Sequence, residues 1–204
     1  MLNLISPIDY ENDEKQYIDS LPKKTGDEWD SRTKKNSELK TKIRKYLQNT
    51  QGNRCAYCGF KLFVSSGDEI EHIAPKSKHP EFMYEPYNLV LACSRCNHSP
   101  LKGSKDTIDK KNSTYNKCLF NIIHPYFDDP EQFLVTEDNG LMCIKDNLST
   151  NDNKRAEMTI RMFELNHSER VVQRRKDTAD ELFKSKYGVD ALDYLLNISE
   201  YRRS

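Results

Sequence analysis

The chain has 204 residues, and its 32 basic and 32 acidic side chains give a formal net charge of zero. This balance excludes a uniformly basic nucleic-acid coat and an acidic solvating tail, but leaves room for local basic patches. Charged residues make up 31% and hydrophobic residues 36%, the profile of a soluble chain that still buries a core.

The longest uninterrupted apolar run, Leu89 to Cys93, has five residues, against roughly 20 for a bilayer span. The opening Met1-Leu2-Asn3-Leu4-Ile5-Ser6-Pro7 lacks the basic and apolar regions of a secretory signal. The expected location is therefore the cytoplasm, where thiols stay reduced.

Charge is segregated along the chain. Residues 1–30 hold 8 acids and 3 bases, whereas residues 31–54 hold 8 bases and 1 acid. In the basic stretch Leu39, Ile43 and Leu47 recur at helical spacing, with Tyr46 alongside. They predict an amphipathic helix of about 12 residues, with Ser37 as N-cap and Gly52 as stop.

Two cysteine pairs follow, Cys55-Ala56-Tyr57-Cys58 and Cys93-Ser94-Arg95-Cys96, separated by 34 residues. An even cysteine count is compatible with disulfides, but this chain is neither very small nor visibly secreted. Two C-x2-C pairs in a reduced compartment read as a four-thiolate zinc site. Four thiolates leave the ion no open position, so zinc here is structural and any chemistry needs other residues. Cys118 and Cys143 stand apart and are expected as buried apolar fillers.

Glu69 to Ile73 reads as a short strand that Pro75 stops. Alternation puts Glu71 and His72 on opposite faces, so the strand must bend or end there if both serve one site. Glu71 offers a hard oxygen ligand and His72 a proton acceptor near neutral pH. Asn88 opens the apolar run into the second cysteine pair. Asn97 follows that pair where a helix is expected to start, and its carbonyl oxygen can ligate Mg²⁺.

Farther on, residues 125–152 hold 7 acids and 1 base, and residues 154–176 hold 7 bases and 3 acids. Asp138-Asn139-Gly140 between short apolar runs signals a hairpin. Ala156, Ile160 and Phe163 share one helix face, with Asn151 or Asp152 as cap. Ser168 opens a second helix with a stripe of Val171, Val172, Ala179, Leu182 and Phe183, ending at Gly188. A last segment carries Leu192, Leu195, Leu196 and Ile198. These stripes are core or partner-facing surface.

The order Cys-x2-Cys, Glu-His-Ile-x-Pro, Asn-Leu, Cys-x2-Cys-Asn and Lys-Gly resembles the HNH endonucleases of the ββα-metal type, over Cys55 to Gly103. The resemblance implies His72 as general base, Asn88 as the residue that positions the loop and the histidine, and Asn97 as a metal ligand. Glu71 stands where the family more usually has Asp. Cys55, Cys58, Cys93 and Cys96 match the structural zinc ligands.

His98 directly follows Asn97, and four residues separate Asn97 from Lys102 where two are more usual, so His98 is an alternative ligand. Farther along, Ile123-His124-Pro125-Tyr126-Phe127-Asp128-Asp129-Pro130, Arg155-Ala156, Ile160, Leu165-Asn166 and Arg170 resemble the HNH subunits (PtuB-like) of Septu and ATPase-linked retron anti-phage systems.

The expected fold class is α+β: a ββα-metal core with a zinc staple, surrounded by mostly helical segments. The expected division is a helical extension at 1–50, a zinc-stapled nuclease core at 51–104, and a mainly helical region with a short hairpin at 105–204. The expected activity is phosphodiester hydrolysis assisted by Mg²⁺ or Mn²⁺ on Glu71 and Asn97. Arg95, Lys102 and the two basic segments are expected to contact the nucleic-acid backbone. The implied partners are nucleic acid, DNA favoured, a co-encoded ATPase and a second copy of the chain, with no membrane. The alternative is a non-catalytic zinc module that binds nucleic acid or protein.

Overall fold

The computed structural model describes residues 1–22, 25–62 and 67–188. The expected apolar segment at 192–198 lies outside them. The chain divides into two units, Met1–Leu134 with Ile144–Glu164, and Val135–Cys143 with residues 165–188. The architecture is α+β, with six helices and three two-stranded sheets among the described residues.

In the first unit, α1 (Asn12–Ser20) and a 3₁₀ turn at Asp27–Asp30 precede α2 (Lys34–Thr50). Helix α2 starts earlier than its apolar stripe announces. Its cap is Thr33, whose side chain accepts from the Asn36 amide, rather than Ser37. The added first turn has a task. Asn36 is fully buried, and its Nδ2 donates to the Trp29 carbonyl at 2.9 Å and the Ser31 carbonyl at 2.7 Å. Those bonds fix the 3₁₀ turn that carries Trp29.

Strands β1 (Glu69–His72) and β2 (Leu89–Ala92) pair antiparallel, with Glu71 opposite Val90 and His72 opposite Leu89. Every residue of β2 is buried. Its alternate residues Leu89 and Leu91 join Leu39, Ile43 and Leu47 of α2 in one core with Trp29, Met83 and Tyr84. Gln51, just past α2, ties helix to strand: Leu91 N–H donates to its Oε1 at 2.7 Å, and its Nε2 donates to the Leu91 carbonyl at 3.0 Å. The short α3 (Ser94–Asn97) follows β2, giving the order β1–β2–α3. Asn97 ends this helix rather than leading into one.

A second sheet, β3 (Ile108–Lys110) with β4 (Leu119–Phe120), lies in a stretch expected to be helical apart from one hairpin. Its Ile108 and Phe120 pack with Ala74, Phe82, Tyr115 and the buried Cys118 in a second core. The short α4 (Pro130–Phe133) follows and α5 (Thr150–Met162) closes the unit; β5 (Leu134–Thr136) and β6 (Met142–Ile144) come between them in the chain. Helix α5 is capped by Ser149, which accepts from Asp152 N–H, so the cap lies before Asn151 and Asp152. Phe163, just past α5, stacks on Tyr57 with ring centroids 3.9 Å apart.

In the second unit the β5–β6 turn and α6 (Ser168–Tyr187) meet. Gly140 has φ +83°, and a Cβ there would lie 2.6 Å from the Val171 carbonyl oxygen, so only glycine fits the turn. The Gly140 carbonyl accepts from Arg174 Nε at 2.7 Å. The expected apolar stripe of α6 does not form a core here. Val172 and Leu182 are exposed, whereas Arg170 and Arg174 are buried. Cys143 is half-buried.

His124 is fully buried, and desolvation, aided by the Arg155 charge, holds its imidazole well below the usual pKa. Asp128, which accepts from the His124 backbone N–H and pairs with Arg155, is the nearby carboxylate. The unfolded chain therefore binds more protons below about pH 6.5, and stability must fall with pH there. Lowering the pH from 7.5 to 5.5 should cost on the order of 1 kcal/mol through this residue alone. Urea unfolding of wild type and His124→Gln at both pH values checks it: the variant should lose less stability between them by about that amount.

Candidate functional site

The cysteine pairs come together by local turns. Cys55 N–H donates to the Phe60 carbonyl at 2.9 Å, and Gly59 N–H to the Cys55 carbonyl at 2.9 Å, folding the first pair into a knuckle. Cys93 precedes α3, and its carbonyl accepts from Cys96 and Asn97 N–H, which folds the second. The four sulfurs of Cys55, Cys58, Cys93 and Cys96 lie within 4.8 Å of one another, and Cys58 Sγ is 3.9 Å from Cys93 Sγ. Tetrahedral ZnS₄ with bonds of about 2.3 Å requires sulfur separations of about 3.8 Å, so the cluster fits zinc. Burial pushes the Cys55 thiol up, so a thiolate there calls for a cation. This is the one such ligand cluster among the described residues.

A separate cleft of about 560 Å³ is lined by Glu69, Glu71, His72, Asn97, His98 and Lys102, with Trp29, Lys40, Arg44 and Lys76 also on its wall. Glu71 and His72 share it although strand alternation would divide them, because β1 ends at His72. Both are buried.

The His72 ring is held on two sides. Its Nε2 lies 3.0 Å from the Met83 carbonyl, and its ring meets Trp29 edge-on with centroids 4.5 Å apart. Burial lowers its pKa to about 3, so the imidazole is neutral. A carbonyl only accepts, so Nε2 carries the hydrogen and Nδ1 carries the lone pair.

Asn88 does not line the cleft. It is fully buried beneath the loop that follows β1, where Ala74 N–H donates to its Oδ1 at 2.6 Å. Its Nδ2 donates to the Ala74 carbonyl at 3.1 Å and the Phe82 carbonyl at 2.9 Å. Asn88 therefore ties together the two ends of the loop between His72 and Met83 rather than facing the cleft.

Lys102 departs from its expected role. A lysine in a polar stretch reads as a phosphate contact, but its side chain is fully buried, pairs with the Glu71 carboxylate, and donates to the His72 carbonyl at 2.8 Å. Burial raises the Glu71 pKa, and the Lys102 charge opposes that rise. Arg95 stands outside the cleft on α3, exposed, with an ion pair to Glu164 at 3.6 Å.

Glu69 is a site residue that the sequence reading passed over. Its Oε2 accepts from Asn97 Nδ2 and lies 2.9 Å from His98 Nε2. The signal was its spacing, since Glu69 and Glu71 are two apart and share a strand face. Asn97 and His98 thus meet one carboxylate, and the Asn97 Oδ1 is left as its acceptor. For a divalent cation the chemistry of the donor set fits, since the Glu69 and Glu71 carboxylates and the Asn97 amide oxygen are hard donors in one cleft, although Glu71 Oε1 is here held by the Lys102 ammonium.

Residues 55–100 match the family model of HNH endonucleases. The chain is similar to Septu protein PtuB of Bacillus mycoides (strain KBAB4), 24% identical over 179 residues that cover 78% of this chain and 59% of the relative. It is also similar to Septu protein PtuB of Bacillus thuringiensis, 28% identical over 131 residues, covering 64% of this chain and 43% of that relative. The chain thus spans about half the length of the curated relatives it matches. These matches make the chain similar to HNH and PtuB proteins. No helix among the described residues is long and apolar enough to cross a membrane.

Removing one partner of a buried ion pair leaves the other charge uncompensated, at a cost of about 3–5 kcal/mol. Lys102→Met should therefore lower stability by that order in urea unfolding without added Mg²⁺. Adding Glu71→Gln should recover part of the loss, because the orphaned carboxylate is gone.

Proposed function

We propose that this chain is a metal-dependent HNH endonuclease that hydrolyses nucleic-acid phosphodiester bonds, with His72 as general base. The observation that carries the reading is the His72 ring itself: neutral, bonded through Nε2 to Met83, and in one cleft with Glu71, Asn97 and Lys102.

In this reading His72 Nδ1 takes a proton from water as the water oxygen bonds to phosphorus. The phosphorus–O3′ bond breaks, and the departing 3′-oxygen takes its proton from solvent, leaving 5′-phosphate and 3′-hydroxyl ends. Trp29 and the Met83 carbonyl hold the ring against rotation while the proton moves. Glu71 and the Asn97 carbonyl oxygen would hold Mg²⁺ or Mn²⁺, which when bound neutralises charge on the phosphate. Glu69 orients Asn97 through its amide. Lys40 and Arg44, one helical turn apart on α2, and Lys76 line the cleft wall, where Arg44, paired with Asp68, and Lys76, paired with Asp30, would exchange those carboxylates for the phosphate backbone. The four cysteines hold a structural zinc.

The similarity to Septu PtuB supports a wider proposal, in which the chain is the nuclease effector of an anti-phage system. DNA as the favoured substrate and a co-encoded ATPase as the partner belong to the same proposal.

His72→Ala separates this reading from a zinc module that only binds. Zinc content should stay at wild type and the chain should remain folded, at a cost of about 1–3 kcal/mol for the emptied ring site and the orphaned Met83 carbonyl, while Mg²⁺-dependent cleavage of DNA should fall at least about 10²-fold. Wild-type cleavage by His72→Ala would leave the binding module as the function.

A further inference from the structure

One motif in the sequence has no role in the cleft. His124, Tyr126 and Asp128 lie far along the chain from His72, yet His124 is fully buried and Tyr115 beside it nearly so. Their hydrogen bonds form a chain whose direction is fixed at both ends.

At one end the Asn88 amide has no freedom to flip. Its Oδ1 faces the Ala74 N–H and its Nδ2 faces two carbonyls. The Tyr115 hydroxyl, 2.8 Å from that Oδ1, must donate to it. With its hydrogen spent, the Tyr115 oxygen accepts from His124 Nε2 at 3.1 Å. At the other end Tyr126 N–H donates to His124 Nδ1 at 3.2 Å, which requires the same tautomer, with hydrogen on Nε2. Depression of the His124 pKa by burial agrees with a neutral ring. Asp128 holds the His124 backbone N–H at 2.6 Å and pairs with Arg155, which also donates to the Ile122 carbonyl.

The chain ends where the His72 ring is set. Asn88 Nδ2 bonds Ala74 at one end of the loop and Phe82 at the other. His72 lies two residues before the first anchor, and Met83, whose carbonyl receives His72 Nε2, one residue after the second. The width of the clamp therefore sets the reach from the Met83 carbonyl to the His72 ring.

We propose that Tyr115 and His124 are positioning residues for His72, acting through Asn88 on the loop that fixes its ring and tautomer. The inference rests on the reading of His72 as general base.

Ring ¹⁵N NMR of the full chain, paired with DNA cleavage kinetics, tests it. In wild type His72 should show a protonated Nε2 and a bare Nδ1. In Tyr115→Phe that pair should move toward the averaged values of a free neutral imidazole. Values of kcat should fall at least about tenfold, with KM within about twofold and zinc content unchanged. Tyr46→Phe, which removes a hydroxyl bonded to the Pro7 carbonyl at 2.9 Å, should move neither readout.

His124→Gln, whose amide can still donate to Tyr115, should keep the His72 pair, whereas His124→Ala should shift it as Tyr115→Phe does. An unmoved His72 pair in both Tyr115→Phe and His124→Ala overturns the inference, as does a moved pair with wild-type kcat. Equal cleavage by wild type and His72→Ala would instead overturn the general-base reading, and the ring signals would still decide whether the chain of bonds sets the ring.

Discussion

A single buried amide carries much of this molecule. Asn88 directly precedes β2 at the bottom of a core with no access to water, and its polar atoms meet four partners there. Each partner lies in a stretch that would otherwise be free: the loop between His72 and Met83, and the segment around Tyr115. A buried amide that loses a partner costs about 1–3 kcal/mol, so this set of bonds selects one loop conformation over its neighbours. The antiparallel β1–β2 pair and the cysteine cluster give the loop fixed ends, and Asn88 gives it a fixed shape. Placement of the His72 ring follows from both.

The cleft's electrostatics follow from burial. Glu71 and Lys102 lie side by side out of water, each making the other's charge tolerable. The Lys102 ammonium also holds the His72 carbonyl, so the end of β1 is fixed by charge as well as by strand pairing. His72 stays neutral because burial desolvates its ring, and the Lys102, Lys76 and Lys40 charges add to the depression.

Much of this was legible in the sequence because spacing carried it. The C-x2-C pairs announced a four-sulfur cluster, Leu39, Ile43 and Leu47 announced α2, and Asn139-Gly140 announced a turn. Other features had no periodic signal. The first turn of α2 is polar, and its reason is tertiary: Asn36 is needed to hold Trp29. Gln51 reads as a helix-end residue but caps both backbone groups of Leu91. Lys102 reads as exposed because lysine usually is, and only the fold reveals the carboxylate beneath it. Glu69 was visible as a strand residue, but its bonds to Asn97 and His98 join positions 28 and 29 residues away, which no local pattern encodes.

The central claim is that the Asn88 amide shapes the loop that presents His72. Asn88→Asp tests it most directly, since the side chain keeps its shape but can no longer donate to the Ala74 and Phe82 carbonyls. Amide hydrogen exchange should show lost protection across residues 73–83 while α2 keeps its own. Wild-type protection throughout 73–83 in that variant would contradict the account.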